Sequence, residues 1–218
     1  MLRLLVSVVA AFLFLAGPAA AQGAKPGIVR VRMTTSEGAI VLALDTRRAP
    51  ETTRNFLAYV DDRRFDGTTF YRAARRKSAP KLGFVQGGIS SDVRRLLPPF
   101  AHERTDKTGI RHLDATISMA RHSRPGSAGG NFFITVGPMP SMDAKGDYAG
   151  YAAFGRVIGG MEVVRRILAK PTGGGSGAMR GQRIAKPVRI ISMRRIDGKA
   201  KPTGRVKPWK LDTGKAKG

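Results

Sequence analysis

The histidines and glycines are the first residues of this 218-residue chain to consider for chemistry, because the chain contains no cysteine. Disulfides, iron–sulfur clusters and cysteine nucleophiles are therefore excluded. His102, His112 and His122 lie ten residues apart, without the close pairing typical of zinc ligands. We therefore expect surface or locally hydrogen-bonded histidines and neither a metal nor another cofactor. The glycine-rich run at 173–178 follows a helix and a proline rather than a strand, which favours a flexible loop over a dinucleotide-binding turn.

Three segments combine residue types that rarely occur together in this order. The first is Phe70-Tyr71-Arg72 with Gln86-Gly87-Gly88 downstream. The second is Ile117-Ser118-Met119-Ala120-Arg121, followed by Gly126-Ser127 and Asn131-Phe132-Phe133-Ile134. The third runs from Tyr151 to Val157 and leads to Gly160-Met161-Glu162-Val163-Val164. No nucleophile elbow, phosphate-binding loop or recognisable pair of catalytic carboxylates accompanies them.

Short β-rich runs must position these segments. They are Val29–Met33, Ala39–Leu44, Thr68–Tyr71, Thr116–Met119, Phe132–Val136, Ala153–Val157 and Val188–Met193. Two segments have helical character, one beginning at Ala49-Pro50-Glu51 and one at Met161–Leu168. Many short strands with two isolated helices predict a mainly β fold, an antiparallel barrel or sandwich whose open ends the helices cover.

In order and spacing, the three segments resemble the cyclophilin family of peptidyl-prolyl cis-trans isomerases, most of all its bacterial, exported branch. The resemblance extends over about residues 28–196 and includes the helix start at Pro50–Phe56. It implies a closed eight-stranded antiparallel barrel capped by two α-helices, with an outer groove that holds an extended X-Pro segment. The implied activity is isomerisation of X-Pro bonds, whose uncatalysed exchange takes about tens to hundreds of seconds.

The resemblance also implies roles for individual residues. Arg72 aligns with the catalytic arginine, and an ordinary barrel-surface arginine is the alternative. A guanidinium can donate hydrogen bonds to the twisted peptide without losing its proton. The implied substrate-binding residues are the pocket side chains Phe133, Phe84 and Met142, the arginine-holding Gln86, Asn131 and Tyr151 at the usual glutamine and histidine positions, and the backbone rail Ala120, Arg121 and His122. Core packing is the competing interpretation of each pocket side chain.

Departures from the family pattern affect the same groove. Thirteen residues separate Arg72 from Gln86, more than is typical of the family, so we expect a longer loop there. Gly83-Phe84 replaces a Phe-Met pair, which removes one aromatic wall. Ser141 stands where a tryptophan borders the groove, so we expect low sensitivity to cyclosporin-like macrocycles.

The N-terminus at residues 1–21 predicts a cleavable signal peptide. Arg3 precedes an uncharged run of 18 residues, and Ala19 and Ala21 suit cleavage before Gln22. A membrane anchor is the alternative, because about 17–25 apolar residues can span a bilayer. Export followed by cleavage predicts a periplasmic mature protein.

Three further segments follow the predicted signal peptide: a leader at 22–27, an isomerase domain at 28–196 and a basic tail at 197–218. Repeated glycine and proline with few apolar residues predict an extended, mobile tail.

The charge of the chain suggests alternative functions. It carries 39 Lys and Arg against 15 Asp and Glu, a formal charge of +24. A proline-peptide binding module or chaperone without catalysis is one alternative, and polyanion binding is another. Interleaved aromatic residues and a reading helix are missing, so we expect no specific nucleic-acid partner. The expected partners are proline-containing unfolded or exported polypeptides and, weakly and electrostatically, anionic envelope surfaces; we expect a monomer.

Overall fold

A computed structural model describes residues 26–210, which contain nine strands and three helices. The strands are β1 Ile28–Thr35, β2 Gly38–Asp45, β3 Thr69–Arg76, β4 Ala79–Gly88, β5 Thr116–Met119, β6 Asn131–Val136, β7 Ala153–Gly159, β8 Thr172–Gly173 and β9 Arg183–Arg195. The helices are α1 Pro50–Asp61, the single turn α2 Thr105–Thr108 and α3 Met161–Ala169.

Eight of these strands close into a barrel. They are hydrogen-bonded in the order β1-β2-β7-β5-β6-β4-β3-β9, and β9 returns to β1. Every pairing is antiparallel, and β8 pairs with β9 outside the ring. Closure removes the free edges that would otherwise template pairing with other chains. The predicted eight-stranded barrel is confirmed, and α2 adds a third, short helix.

The two longer helices close over an apolar core. Pro50 starts α1 with its φ already suited to a helix, and the Glu103 carboxylate accepts the free N–H groups of Glu51 and Thr52 at 3.1 and 2.8 Å. On the buried side of α1, the Phe56 ring meets Phe132 of β6 edge-on with centroids 5.6 Å apart. The buried residues of α3 are Val163, Val164, Ile167 and Leu168.

The segment between Arg72 and Gln86 is a hairpin with a two-residue turn, and the prediction of a longer loop there is wrong. β3 continues to Arg76 and β4 begins at Ala79, so only two residues form the turn. A break in register beside Arg76 accommodates the additional residues. The sequence did not indicate β4 because its first half, Ala79–Gly83, contains proline, lysine and glycine, which are uncommon in strands.

The described part of the tail, residues 197–210, lies against the barrel. Thr203 donates its N–H and its hydroxyl to the buried Asp62 carboxylate at 2.8 and 2.6 Å. The Trp209 ring lies 4.8 Å from the guanidinium carbon of Arg64. The prediction of an extended, mobile tail omitted these contacts, because they depend on charged groups that α1 and the following turn bring to this surface.

The predicted signal peptide and most of the leader lie outside the described residues. Within residues 26–210, no helix is both long and apolar enough to cross a bilayer.

Candidate active site

Three internal hydrogen bonds fix the guanidinium of Arg72 on β3. Nη1 donates to Oε1 of Gln86 at 2.9 Å, and these two residues are register partners on β3 and β4. Nε donates to Oε1 of Gln182 at 2.8 Å, and Nη2 donates to the carbonyl of Ala178 at 2.8 Å. A guanidinium has five N–H groups. One N–H on Nη1 and one on Nη2 therefore have no partner among residues 26–210, and both can donate to a ligand.

Gln86 is itself oriented by a neighbour. Its Nε2 donates to the hydroxyl of Tyr71 at 2.8 Å, which leaves Oε1 to accept from Arg72. Burial raises the pKa of Tyr71 to about 12, against the opposing effects of Gln86 and Arg72. The phenol is therefore neutral at ordinary pH, and the chain Tyr71–Gln86–Arg72 has one consistent hydrogen-bond direction.

Arg72 is partly shielded from water on one side. Its guanidinium carbon lies 4.9 Å above the ring of Phe84. Burial lowers the pKa of Arg72, and the phenol groups of Tyr151 and Tyr71 oppose that shift. An arginine stays charged under these conditions. Partial desolvation strengthens its attraction for a peptide dipole, because the local dielectric constant is lower than that of water.

An apolar cluster centred on Phe133 lies beside this cation and is separate from the barrel core. The Phe133 centroid is 5.4 Å from that of Phe84 and 5.4 Å from that of Tyr151, which meets it edge-on. Met142 and Ala120 pack against the same cluster. Phe133 is 2% exposed. A proline ring therefore reaches it only when a covering side chain moves.

The pairing of an apolar pocket with a fixed cation suits an X-Pro bond. Proline has no backbone N–H, so its ring can enter an apolar pocket without leaving a donor unsatisfied. The sequence profile described as "Cyclophilin type peptidyl-prolyl cis-trans isomerase/CLD" matches residues 30–195. The chain belongs to the cyclophilin family.

Curated bacterial relatives of this cyclophilin are named as isomerases. It is 41% identical over 139 residues to peptidyl-prolyl cis-trans isomerase A of Dickeya dadantii, which covers 63% of this chain and 70% of the relative. It is 33% identical to a peptidyl-prolyl cis-trans isomerase of Acinetobacter baylyi, over 75% of this chain and 83% of the relative.

A solved structure shares the fold. The crystal structure of a cyclophilin-type isomerase of Cryptosporidium parvum superposes with a TM-score of 0.63 at 19% identity, covering 79% of this chain and 99% of that one. The same protein was also crystallised in the presence of the dipeptide Ala-Pro.

Fewer backbone groups of the predicted rail at residues 120–122 are open to a peptide than expected. Both backbone groups of His122 are occupied: its N–H bonds Ser127 Oγ at 3.0 Å, and its carbonyl accepts from Arg121 Nη1 at 2.8 Å. The N–H of Ala120 is also used, by the carbonyl of Asn131 at 2.9 Å. The backbone N–H and carbonyl of Arg121 have no hydrogen-bond partner within the described part of the chain. Within the described residues, both backbone groups of Arg121 and the carbonyl of Ala120 therefore stay open to a peptide.

Side chains at the rim of the site have partners of their own. Asn131 accepts from the N–H of Ser90 at 2.7 Å and donates to its carbonyl at 2.9 Å, so its amide fastens the end of β4. The guanidinium of Arg121 lies 5.1 Å from the ring centre of Tyr151. The substrate-binding role of Asn131 stays a prediction.

Two acceptors for Arg72 were missed in the sequence, and both belong to the glycine-rich loop that we interpreted as flexible. Three glycines in the left-handed region precede Ala178, among them Gly175 at φ +76°, and a fourth, Gly181, directly precedes Gln182. A Cβ on Gly175 would lie 2.4 Å from the carbonyl oxygen of Met179, so this turn requires glycine. No local pattern indicates the contact, because Gln182 is separated from Arg72 by 110 positions.

A surface cavity of about 930 Å³, lined by Arg30, Ala43, Arg111 and Arg156 among others, lies away from this site. It opens on the outer face of β1, β2 and β7, where Arg30, Ala43 and Arg156 are consecutive register partners. No group of His, Asp and Glu within the described residues could hold a metal ion.

Proposed function

We propose that this cyclophilin accelerates X-Pro isomerisation in exported polypeptides. The observation that carries the proposal is the guanidinium of Arg72, aimed by three hydrogen bonds and left with two N–H donors beside the Phe133 cluster. The named activity of the bacterial relatives and the crystallisation of a family member with Ala-Pro support proline-containing peptides as partners.

The reaction needs differential binding and no covalent step. Rotation about a peptide bond has a barrier of about 18–20 kcal/mol, because conjugation keeps the bond planar. Twisting breaks that conjugation and leaves the proline nitrogen pyramidal and basic. The free N–H groups of Arg72 can donate to this nitrogen or to the adjoining carbonyl, and the apolar pocket holds the ring while the acyl side turns.

Arginine alone does not supply the rate. A gain of about 10⁵ needs about 7 kcal/mol of transition-state stabilisation. One hydrogen bond from a charged donor contributes about 1.5–3 kcal/mol. The remainder comes from holding the peptide in the twisted geometry. The two contributions can act on one peptide, since Arg72 lies over Phe84, a member of the Phe133 cluster.

A proline-switched peptide assay tests the proposal. We expect the wild-type protein to accelerate isomerisation and Arg72→Ala to lose most of that activity with nearly unchanged thermal unfolding. Arg156→Ala is the matched control, because this exposed arginine lies on β7 and lines the cavity away from Arg72. Peptide binding without acceleration by the wild type would instead select the non-catalytic binding module.

We propose that the protein acts in the periplasm after cleavage of residues 1–21. Mass spectrometry of protein recovered from cell fractions tests this directly. A periplasmic chain that begins at Gln22 is the expected result. A membrane-bound chain that retains Arg3 would select the anchor, and a soluble full-length chain in the cytoplasm would contradict export.

We also propose weak contact with anionic envelope surfaces. Arg111 and Arg156 line the 930 Å³ cavity, and neither guanidinium has a hydrogen-bond or ion-pair partner within residues 26–210. Co-sedimentation with phosphatidylglycerol vesicles should fall steeply between low and high salt. The double variant Arg111→Glu, Arg156→Glu should weaken it further, while equal binding to phosphatidylcholine vesicles would contradict the electrostatic account. Sedimentation of the same protein without vesicles tests whether it is a monomer, as expected.

A further inference from the structure

His112 lies directly beneath the floor of the proline pocket. It is 1% exposed, and its ring stacks on that of Phe133 with centroids 5.7 Å apart and an angle of 11° between the planes. Its Nδ1 lies 2.6 Å from Oδ1 of Asp143, and its Nε2 lies 3.0 Å from Oγ of Ser118. The sequence singled out this histidine, but the proposed mechanism does not use it.

The order Ser118–His112–Asp143 is that of a hydrolytic triad, but its burial excludes that chemistry. Ser118 is 0% exposed. It is the β5 register partner of Phe133 on β6, and His112 stacks against that ring. A nucleophilic serine must reach a substrate carbonyl. The arrangement is therefore a support for the pocket.

The protonation state of His112 is consistent with that support. Burial lowers its pKa, against the opposing hydrogen bond and charge of Asp143. The neutral ring carries its proton on Nδ1, donates it to the Asp143 carboxylate and accepts from the Ser118 hydroxyl through Nε2. All three groups are satisfied with no buried donor left over.

His112 also holds the segment that carries a pocket wall. Its backbone N–H donates to Asp143 Oδ1 at 3.0 Å, and its carbonyl accepts from Met139 N at 2.7 Å. Between these two anchors lies Met142, whose carbonyl accepts from Tyr151 N at 3.0 Å. One histidine thus connects the Phe133 floor, the Met142 wall and the Tyr151 edge.

We infer that His112 is a positioning residue that holds the floor and one wall of the proline pocket in register through Ser118 and Asp143. This inference rests on the proposed function, since it assigns His112 to the pocket used in isomerisation. Met142 and Phe133 must present one apolar surface to the proline ring. The backbone of His112 anchors the 139–143 segment whatever the side chain, and the imidazole adds the bond from Nδ1 to Asp143, which a side chain that only filled the space beneath Phe133 would lack.

The test uses variants that separate stacking from hydrogen bonding. His112→Phe keeps an aromatic ring beneath Phe133 but removes both side-chain hydrogen bonds. Asp143→Ala removes one of them, and Asp143→Asn restores an acceptor. His102→Phe is the matched control, because this histidine bonds only the carbonyl of Ala149, at 2.9 Å. Each full-length variant is assayed below its thermal transition for kcat/KM and, by NMR titration, for its Kd with the dipeptide Ala-Pro.

We expect His112→Phe and Asp143→Ala each to weaken Ala-Pro binding and to lower kcat/KM about tenfold. This is the effect expected from the loss of one or two buried hydrogen bonds. The double variant should be no worse than either single variant, and Asp143→Asn should recover most of the loss. Wild-type Kd and kcat/KM in folded His112→Phe would overturn the inference, as would a loss in Asp143→Asn equal to that in Asp143→Ala. An inactive wild type whose Ala-Pro binding still depends on His112 would refute isomerase function and leave the positioning role intact.

Discussion

Gln182 should control the aim of Arg72. Its Oε1 accepts from Nε at 2.8 Å, while Gln86 and Ala178 accept from the two terminal nitrogens. In Gln182→Ala the acceptor on Nε is lost, and the guanidinium can rotate about its remaining contacts. The two unpartnered N–H groups are then held less firmly for donation to a substrate.

The expected magnitude follows from the position of this hydrogen bond. A hydrogen bond to a charged group contributes about 1.5–3 kcal/mol. Arg72 is only half-buried and keeps two of its three acceptors, so the lower limit applies. That limit corresponds to about a tenfold loss in kcat/KM. Because the pocket at Phe133 is untouched, kcat should carry the loss and KM should change little.

Line-shape analysis by NMR during steady-state exchange of a proline peptide measures kcat and KM separately. Lys186→Ala is the matched control, since Lys186 is an exposed residue of β9 only four positions away. A thermal unfolding curve for Gln182→Ala establishes that the fold is retained. Wild-type kcat in a folded Gln182→Ala protein would refute the view that the loop aims the arginine, and a rise in KM alone would assign Gln182 to ground-state binding.

Four other perturbations test the same structure. Arg72→Lys should lose most isomerase activity in the peptide assay, because an ammonium has three donors and cannot replace three internal bonds and two free N–H groups. Gly175→Ala should lower kcat, since a Cβ there would lie 2.4 Å from the Met179 carbonyl oxygen and displace the loop that holds Arg72. Trp209→Ala should lower the free energy of unfolding in urea by about 1–2 kcal/mol through loss of its cation–π contacts. Burial alone would raise the pKa of Asp62, but hydrogen bonds from Thr203 and Arg64 outweigh it and lower that pKa. Asp62 therefore contributes fully to the free energy of unfolding above the ordinary pKa of a carboxyl group. Urea titrations at decreasing pH should show this contribution decline as the pH approaches the lowered pKa.

The barrel could be predicted where strands carry their own pattern. β1 and β2 alternate buried with more accessible residues around a short turn, and β6 is buried from Phe132 to Val136. β4 could not be predicted, because its early residues disfavour strands and only pairing with β3 and β6 stabilises it. β8, at two residues, is too short to leave a periodic signal.

The same distinction between local patterns and long-range contacts applies to the residues of the site. Arg72, Gln86 and Phe133 belong to short motifs on neighbouring strands, so the resemblance of these motifs to the cyclophilin pattern was enough to propose them. Gln182 contacts Arg72 across 110 positions, through a turn whose course depends on several glycines at positive φ. Long-range contacts of this kind leave no periodicity, since neither end has a neighbour that reveals the other.

His112 shows a further reason why sequence was insufficient. Its spacing from the other histidines predicted a surface or locally hydrogen-bonded side chain, and for His112 that prediction is wrong, because the ring is 1% exposed and bonds Asp143, 31 positions away. Ser118 lies in β5 and Asp143 follows a single helical turn after β6. Only barrel closure brings both to one imidazole beneath Phe133.

The charge of +24 acquires a physical meaning from the way individual arginines use their donors. Arg64 and Arg95 donate to carboxylates and backbone carbonyls and face Trp209, so their charge is used for structure. Arg111 and Arg156 have no such partners in the described chain and offer a general attraction for anions. Arg72 differs from both groups, because fixed acceptors orient it and still leave two donors free. Preorganisation, and not the amount of charge, determines what a cation adds to catalysis. Removing surface arginines should therefore change the salt dependence of association, while the isomerisation rate of a bound peptide stays the same.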